Sequence, residues 1–214
     1  MRAIALFSGG KDGLYSIYLA ENMGYDVAYL LALKTTIGIS PHYENLPSLR
    51  RIANAMGKAM ITFDMVRGRE ELVELLKALS VEAIVAGDVK IEDHYRWLEG
   101  IAREAGIELV EPIFGRNTLE LAREILRSGF SYSIIAVEKG KVSEEYLGYT
   151  FEGEGDLLKF LDDNPGVDPL GEFGEFHTVV LSSPLYSRRF KLVKEKVLED
   201  ERYRWLKFRL VEEG

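Results

Sequence analysis

Residues 3–13 of the chain have the sequence AIALFSGGKDG. The apolar run at 3–7 is typical of a buried strand, and the apolar residues from Leu14 onward have the spacing of one helix face. The two glycines between them let the backbone come close to a ligand. The N–H groups at the start of the helix, together with the charge of Lys11, favour binding of a polyphosphate. A Ser-Gly-Gly turn can also be an ordinary tight connection.

The composition limits the function classes. A chain of 214 residues with 47% hydrophobic residues predicts a globular protein of one large or two small domains. The formal net charge of −8 disfavours nucleic acid as the main partner, because phosphate backbones are bound by Lys and Arg. The absence of cysteine excludes disulfides, thiolate metal sites and a Cys nucleophile. No stretch resembles a membrane span or a signal peptide, so we expect a cytoplasmic protein without a membrane partner.

Strand and helix patterns alternate over the first half of the chain. This rhythm predicts an α/β fold with a doubly wound parallel sheet, whose ligands bind beyond the carboxyl ends of the strands. The loop after Phe7, the segment after Leu33 and the turn at Gly87 and Asp88 all fall at that edge. After the first strand, the predicted strands are 27–33, 60–63, 83–86 and 109–110, and the predicted helices are 49–56, 70–79 and 92–105.

The pattern changes after about residue 130. The later segments predict a smaller α+β domain with an antiparallel sheet, joined to the first domain through a helix near 119–126. We therefore expect domains at 1–128 and 129–214. The predicted strands are 132–137, 178–182, 190–197 and 205–211, and a short helix is predicted at 155–161.

A second dense group of polar residues lies at 168–178, with the sequence DPLGEFGEFHT. It holds two Glu, one His and one Thr framed by glycines. Its composition alone fits a solvated acidic loop before an edge strand. The histidine adds weight to a functional interpretation because the chain has only three, although a single surface histidine is often incidental.

The first string, Ser8-Gly9-Gly10-Lys11-Asp12, resembles the PP-loop of the ATP pyrophosphatases, Ser-Gly-Gly-x-Asp-Ser. Those enzymes cleave ATP between the α and β phosphates. Gly13 stands where that family has its second Ser, which leaves the backbone N–H groups and Lys11 to carry more of the pyrophosphate.

The resemblance extends along nearly the whole chain. The PP-loop, the Gly87-Asp88 turn with its following helix, and the late Gly-Glu-x-Gly-Glu-Phe-His-Thr string together resemble the diphthine–ammonia ligase (diphthamide synthase) family. Two positions depart from it: Leu170 stands where many relatives have Cys, and residues 93–96 match Glu-Tyr-Gln-Arg only loosely.

The resemblance implies an activity and a set of site residues. It implies amidation of the diphthine carboxylate on translation elongation factor 2, with ammonium as nitrogen donor and with AMP and pyrophosphate released through an acyl-adenylate. ATP and Mg²⁺ are the implied cofactors; domain 1–128 would bind ATP and domain 129–214 the substrate. The residues implied to bind ATP are Ser8, Gly9, Gly10, Lys11, Asp12, Gly13, Ala32, Leu33 and Gly87, with Asp12 also holding Mg²⁺. Those implied to bind the substrate are His94, Tyr95, Arg96, Glu172, Phe173, Glu175, Phe176, His177 and Thr178. The implied catalytic residues are Lys11, Asp12, Asp88, Glu175 and His177, of which Asp88, Glu175 or His177 would accept a proton from ammonium.

Other functions stay open at this point. Another PP-loop adenylating ligase or a tRNA-modifying enzyme would share the N-terminal loop, and so would an ATP-binding regulator without turnover. The loop at 168–178, here called the late loop, argues against the regulator, since a sensor does not need it. The sequence also leaves open whether the chain forms a homodimer.

Overall fold

The computed structural model describes residues 1–34 and 41–213, so the predicted site segment beyond Lys34 lies outside the described residues. Within these ranges no helix is both long and apolar enough to cross a membrane. The first part of the chain alternates strands and helices as the sequence pattern predicts. Its strands are β1 (Arg2–Leu6), β2 (Asp26–Lys34), β3 (Ala59–Asp64), β4 (Ala83–Val85) and β5 (Glu108–Val110). Its helices are α1 (Lys11–Asn22), α2 (Leu46–Ala55), α3 (Arg69–Ala78) and α4 (Glu92–Ala105).

The five strands form one parallel sheet in the order β3-β2-β1-β4-β5. The chain winds outward from β1 in one direction through β2 and β3, and in the other through β4 and β5. The strand order therefore reverses between β1 and β4, which is the switch point where ligands of such sheets bind. The predicted doubly wound α/β class is confirmed.

Alternating side chains of β1 explain why helices cover both faces of this sheet. Ala3 and Ala5 belong to the apolar cluster that contains Leu14 of α1 and Ile52 of α2. Ile4, between them, belongs to a second cluster that contains residues of α3 and α4. Successive side chains of a strand point to opposite faces, so α1 and α2 pack on one face and α3 and α4 on the other.

The second part of the chain forms an antiparallel sheet, as expected. Strand β6 pairs with β7, β8 and β10, and β9 pairs with β10. All eight residues of β6 are buried. The two-residue strand β7 is too short to produce a periodic pattern, and the sequence did not predict it. The elements are α5 (Thr118–Arg127), β6 (Ser131–Glu138), β7 (Thr150–Phe151), α6 (Glu154–Asp163), β8 (Phe176–Ser182), β9 (Phe190–Glu199) and β10 (Tyr203–Glu212).

The two sheets share one apolar core. The cluster beneath α1 and α2 continues into Ile134 of β6 and Leu206 of β10. Polar contacts reinforce the junction: Asn45 Nδ2 donates to the Leu206 carbonyl at 3.0 Å, and the Phe208 N–H donates to Asn45 Oδ1 at 2.9 Å. The division at residue 128 stays a prediction.

Candidate active site

The loop between β1 and α1 forms one wall of the candidate site. Gly9 has a positive φ of 78°, a conformation that L side chains rarely adopt. Ser8 Oγ accepts a hydrogen bond from the Gly10 N–H at 3.3 Å. Gly10 occupies the N-cap position and has no side chain to cap the first turn of α1. The helix start can therefore present N–H groups and its positive dipole end to an anion.

Strand β8 of the second sheet holds this loop in place. The Lys11 N–H donates to Thr178 Oγ1 at 3.2 Å, and the Val180 N–H donates to the Gly9 carbonyl at 2.9 Å. Both contacts join residues that are far apart in the sequence. The conformation of the glycine loop thus depends on both parts of the chain.

Lys11, which is buried, forms an ion pair with the partly exposed Asp12 at the start of α1. The Lys11 side chain is 2% exposed, and its Nζ donates to Asp12 Oδ2 at 2.9 Å and to the Leu170 carbonyl at 2.6 Å. The ammonium also lies 5.2 Å from the ring centroid of Phe176. Burial raises the pKa of Asp12, and the charge of Lys11 opposes that rise. Asp12 Oδ1 is buried and has no hydrogen-bond partner among the described residues.

The turn after β4 approaches the start of α1 very closely. A Cβ atom on Gly87 would lie 2.8 Å from the carbonyl carbon and oxygen of Asp12 and from Gly13 Cα. Backbone atoms cannot move aside as a flexible side chain can, so this approach requires glycine. A Cβ on Gly13, by contrast, would meet the Leu6 carbonyl oxygen at 3.6 Å, an ordinary contact.

These loops border a cavity of about 320 Å³ at the switch point between β1 and β4. Both sheets contribute to its wall. The predicted site residues that line it are Ser8, Gly10, Lys11, Asp12, Gly13, Leu33, Gly87, Asp88, His94, Phe176, His177 and Thr178.

Three titratable side chains meet where β4 and β5 end. Asp88 Oδ2 lies 2.6 Å from His94 Nδ1, and this contact raises the pKa of His94. The Asp88 N–H donates to Glu111 Oε2 at 3.2 Å. Burial and the negative charge of Asp88 raise the pKa of Glu111 to about 8. Glu111 therefore keeps its proton at neutral pH, whereas His94 gains affinity for one.

Two other histidines lie next to each other in the cavity lining. The ring centroids of His42 and His177 lie 5.8 Å apart. Burial lowers the pKa of His42 to about 3 and that of His177 to about 4. Both imidazoles are therefore neutral at physiological pH, so each can donate one hydrogen bond and accept one.

The buried Glu175 binds backbone N–H groups of the late loop and so fixes its conformation. The residue is 5% exposed, and its carboxylate accepts hydrogen bonds from the Phe173 N–H at 2.9 Å and the Asp168 N–H at 3.3 Å. Gly171 has a φ of 69°, and a Cβ there would lie 2.8 Å from the Phe176 carbonyl oxygen. The loop is therefore held by internal contacts rather than left open to solvent.

Glu172 ties the late loop to the turn after β4. Its Oε1 accepts hydrogen bonds from the Val89 N–H at 3.1 Å and the Lys90 N–H at 2.8 Å. Phe173, next to it, is 62% exposed. The two hydrogen bonds of Glu172 therefore link the loop before β8 to the turn after β4.

Two family models match consecutive parts of the chain. The model of the diphthamide synthase N-terminal domain matches residues 1–109, and the model of the diphthamide synthase C-terminal domain matches residues 117–211. The chain belongs to the diphthamide synthase family. The predicted family is thereby confirmed.

Relatives of this chain are named diphthine–ammonia ligase, a carbon–nitrogen ligase, as the predicted enzyme class requires. The human protein is 27% identical, over 92% of this chain and 85% of its own length. The Schizosaccharomyces pombe protein is 23% identical over 93% of this chain, which spans 37% of that relative's length. A crystal structure of a predicted subunit of tRNA methyltransferase from Methanocaldococcus jannaschii aligns with a TM-score of 0.43 and 18% identity, over 86% of this chain and 98% of that one.

Several of the predicted site residues lie away from the cavity lining. Tyr95 packs against Phe114, with ring centroids 4.6 Å apart. The exposed Arg96 pairs with Glu92. The others are Gly9 and Ala32, which are buried beneath the wall, Glu172 and Glu175, which hold the late loop, and the exposed Phe173. Their predicted roles stay predictions.

Sequence reasoning missed Glu111 and His42. Glu111 follows β5 directly, as the Gly87-Asp88 turn follows β4, so its place at the carboxyl edge was available from the strand pattern. No periodic or motif signal distinguishes it from other acidic residues near turns. His42 lines the cavity and precedes α2, where the sequence offers only a histidine near the start of an element.

Proposed function

We propose that the chain amidates the diphthine carboxylate of translation elongation factor 2, using ATP and ammonium and releasing diphthamide, AMP and pyrophosphate through an acyl-adenylate. Membership of the diphthamide synthase family and the names of the relatives support the reaction. The observation that carries it in the structure is the start of α1, whose N-cap residue has no side chain to cap it, with Gly9 and Gly10 before it and Asp12 inside the cavity. The cytoplasm, where an elongation factor works, is the proposed location.

ATP supplies the energy by turning a poor leaving oxygen of the carboxylate into part of AMP. The first turn of α1 would bind the phosphates, because its N–H groups and dipole favour negative charge. Lys11 would add a fixed positive charge beside the departing pyrophosphate. Its ammonium already has a carboxylate and a carbonyl partner, so its position is set before the nucleotide binds.

Asp12 would hold Mg²⁺. Its Oδ1 is a buried oxygen that lacks a hydrogen-bond partner in the described part of the chain, which fits a hard cation. Among residues 1–34 and 41–213, no three ligating side chains converge on a point. Mg²⁺ commonly takes only one or two carboxylates and completes its shell with phosphates and water, so a single Asp suits a nucleotide-bound ion.

Asp88 is the proposed proton acceptor for ammonium. Ammonium loses one proton before it attacks the carbonyl and a second as the amide forms. Asp88 lines the cavity with His94 at hydrogen-bond distance, whereas both oxygens of Glu175 already accept backbone N–H groups. His177, with its pKa lowered by burial, binds a proton weakly. The trimethylammonium group of diphthine would lie against the late loop, where Phe176 and Thr178 line the cavity and Phe173 is exposed.

The test is the complete reaction with purified protein. Elongation factor 2 carrying diphthine, ATP, Mg²⁺ and ammonium should give AMP and pyrophosphate in equal amounts, with an acid-to-amide mass change on the factor. Omission of the factor or of ammonium should abolish amide formation. ADP as the product, or AMP formation that depends on tRNA instead of the factor, would overturn the proposal. Light scattering in the same preparation determines whether the chain is a homodimer.

A further inference from the structure

Glu111 and Asp88 come together because their strands are neighbours. Val85 of β4 pairs with Val110 of β5, and the Ala86 N–H continues the ladder to the Val110 carbonyl at 3.0 Å. The next residues along each strand leave the sheet at the same edge. Asp88 and His94 line the cavity, while Glu111 reaches Asp88 from behind through the 3.2 Å bond to its N–H.

The carboxyl group of Glu111 has one oxygen engaged and one spare. Oε2 accepts the Asp88 N–H, whereas Oε1 is buried without a hydrogen-bond partner among the described residues. Asp88 has its own partner in His94, at 2.6 Å. The charge of Asp88 opposes ionisation of Glu111, because two neighbouring carboxyl groups cannot both ionise cheaply.

The other charged side chains near Asp88, His94 and Glu111 are exposed or bound to other partners. Glu172 reaches the same turn but accepts the backbone N–H groups of Val89 and Lys90. Arg116 is paired with Glu124. It follows Gly115, whose N–H donates to the Val89 carbonyl. At the start of α4, the exposed Glu92 pairs with Arg96, and Asp93 is exposed. Asp88 and His94 are therefore the charged groups that act on Glu111.

We propose that Glu111 is a positioning residue for the ammonium step: it anchors the Asp88 backbone, stores a proton beside the Asp88 carboxylate, and on losing that proton makes the Asp88–His94 pair a stronger acceptor for the proton of ammonium. The inference rests on the proposed function. In the step, an N–H bond of ammonium breaks, its electron pair stays on nitrogen, and the proton forms an O–H bond with Asp88. The second proton, lost on amide formation, leaves through His94, whose side chain is 41% exposed to solvent.

Glutamine at position 111 imitates the protonated acid, because it keeps a carbonyl oxygen for the Asp88 N–H and adds an N–H donor. The Glu111→Gln variant should therefore match the wild type at low pH and fall behind as Glu111 of the wild type ionises. We expect the ratio of kcat/KM for ammonium, wild type over variant, to rise about tenfold between about pH 6.5 and pH 9.5. Ammonium and ATP titrate identically in both reactions, so their own pH dependence cancels in the ratio.

A purely structural role for Glu111 would give a ratio that does not change with pH, and that result overturns the inference. Glu111→Asp, which keeps a titrating carboxyl group, should retain the alkaline rise even if its absolute rate is lower. Glu108→Gln is the matched control, because Glu108 lies exposed at the start of β5, the strand that Glu111 follows; its ratio should stay at one. Carbon-13 labelling of Glu carboxyl groups gives a second readout, since Glu111 should titrate near 8 in the free wild-type protein.

ATP–pyrophosphate exchange with the diphthine-bearing factor distinguishes a failure of the proposed function from a failure of the role proposed for Glu111. Exchange precedes the attack of ammonium. A wild-type protein without exchange removes the proposed function, and the inference with it. A wild-type protein that exchanges and forms amide, with a flat Glu111→Gln ratio and no carboxyl titration near 8, leaves the proposed function standing and removes only the role of Glu111.

Discussion

The carboxylates in and behind the two walls of the cavity are used differently. In the wall built by the parallel sheet, Asp12 Oδ1 is buried without a hydrogen-bond partner in the described part of the chain, and so is Glu111 Oε1 behind that wall. In the late loop behind the other wall, Glu172 and Glu175 accept backbone N–H groups from two residues each. Buried polar groups are nearly always paired, so the oxygens of the first wall are available for a ligand or a proton. Those of the second wall already hold the protein together.

The largest expected effect comes from changing the backbone contact between the turn after β4 and the start of α1, both in the first wall. Gly87→Ala should lower kcat/KM about a hundredfold, because a Cβ only 2.8 Å from the Asp12 carbonyl must push the turn and α1 apart. Gly13→Ala is the matched control: its Cβ meets nothing closer than 3.6 Å, and alanine favours the helix. Steady-state kinetics on both variants, with thermal unfolding to verify folding, makes the comparison. Equal activities would show that the turn after β4 and the start of α1 need not meet so closely.

The spare oxygen of Asp12 should act on the nucleotide and its cation. Asp12→Asn should weaken Mg²⁺-dependent ATP binding by about tenfold or more, while binding without Mg²⁺ changes less. Calorimetric titration with ATP, with and without Mg²⁺, measures this independently of turnover. Asp93→Asn, at an exposed position in α4, provides the control. If Mg²⁺ tightens ATP binding equally in Asp12→Asn and the wild type, Asp12 is not a ligand.

The carboxylates of the second wall should matter mainly for stability. Glu175→Ala leaves the N–H groups of Asp168 and Phe173 without their acceptor and should cost about 2–3 kcal/mol of unfolding free energy. Glu172→Ala removes a contact at the cavity rim and should cost about 1 kcal/mol, with a higher KM for the elongation factor. Urea unfolding and steady-state kinetics distinguish these effects. A Glu175→Ala protein of normal stability but without amide formation would instead make Glu175 a catalytic group.

The smallest expected effect concerns the histidines of the two walls. His177, on the second wall, has a folded pKa of about 4, below the ordinary 6.5, so its contribution to stability is full above 6.5 and falls as the pH drops below it. His94 has a raised pKa, so its contribution is present at low pH and is lost as the pH rises through the folded value. Relative to wild type, His177→Gln should gain about 1 kcal/mol on going from about pH 7.5 to pH 5.5. His94→Gln should lose stability over the same interval. Urea unfolding at both pH values tests the opposite signs, and changes of the same sign would contradict the assignment.

The first wall could be predicted from sequence further than the second. A strand, two glycines and a helix are local features, so the loop at Ser8–Gly10 and the turn at Gly87 follow from neighbouring residues. The contacts of Glu172 and Glu175 depend on how the late loop folds back on itself and reaches Val89 and Lys90. Composition alone could not distinguish carboxylates that hold a loop from carboxylates that bind a cation. The pairing of Glu111 with Asp88 likewise needs the strand order, which the sequence pattern did not specify.

The hydrogen bonds that β8 makes to the glycine loop have a consequence for how the protein can be divided. A cut between α5 and β6 would separate Gly9 and Lys11 from Val180 and Thr178, the groups that fix their conformation. Neither fragment would carry a finished nucleotide cradle, and mixing the two should restore it by complementation. The ATP affinity that we propose for this loop would therefore depend on both parts of the polypeptide, and a mutation deep in the antiparallel sheet would disturb the glycine loop although the sequence of the loop itself is intact.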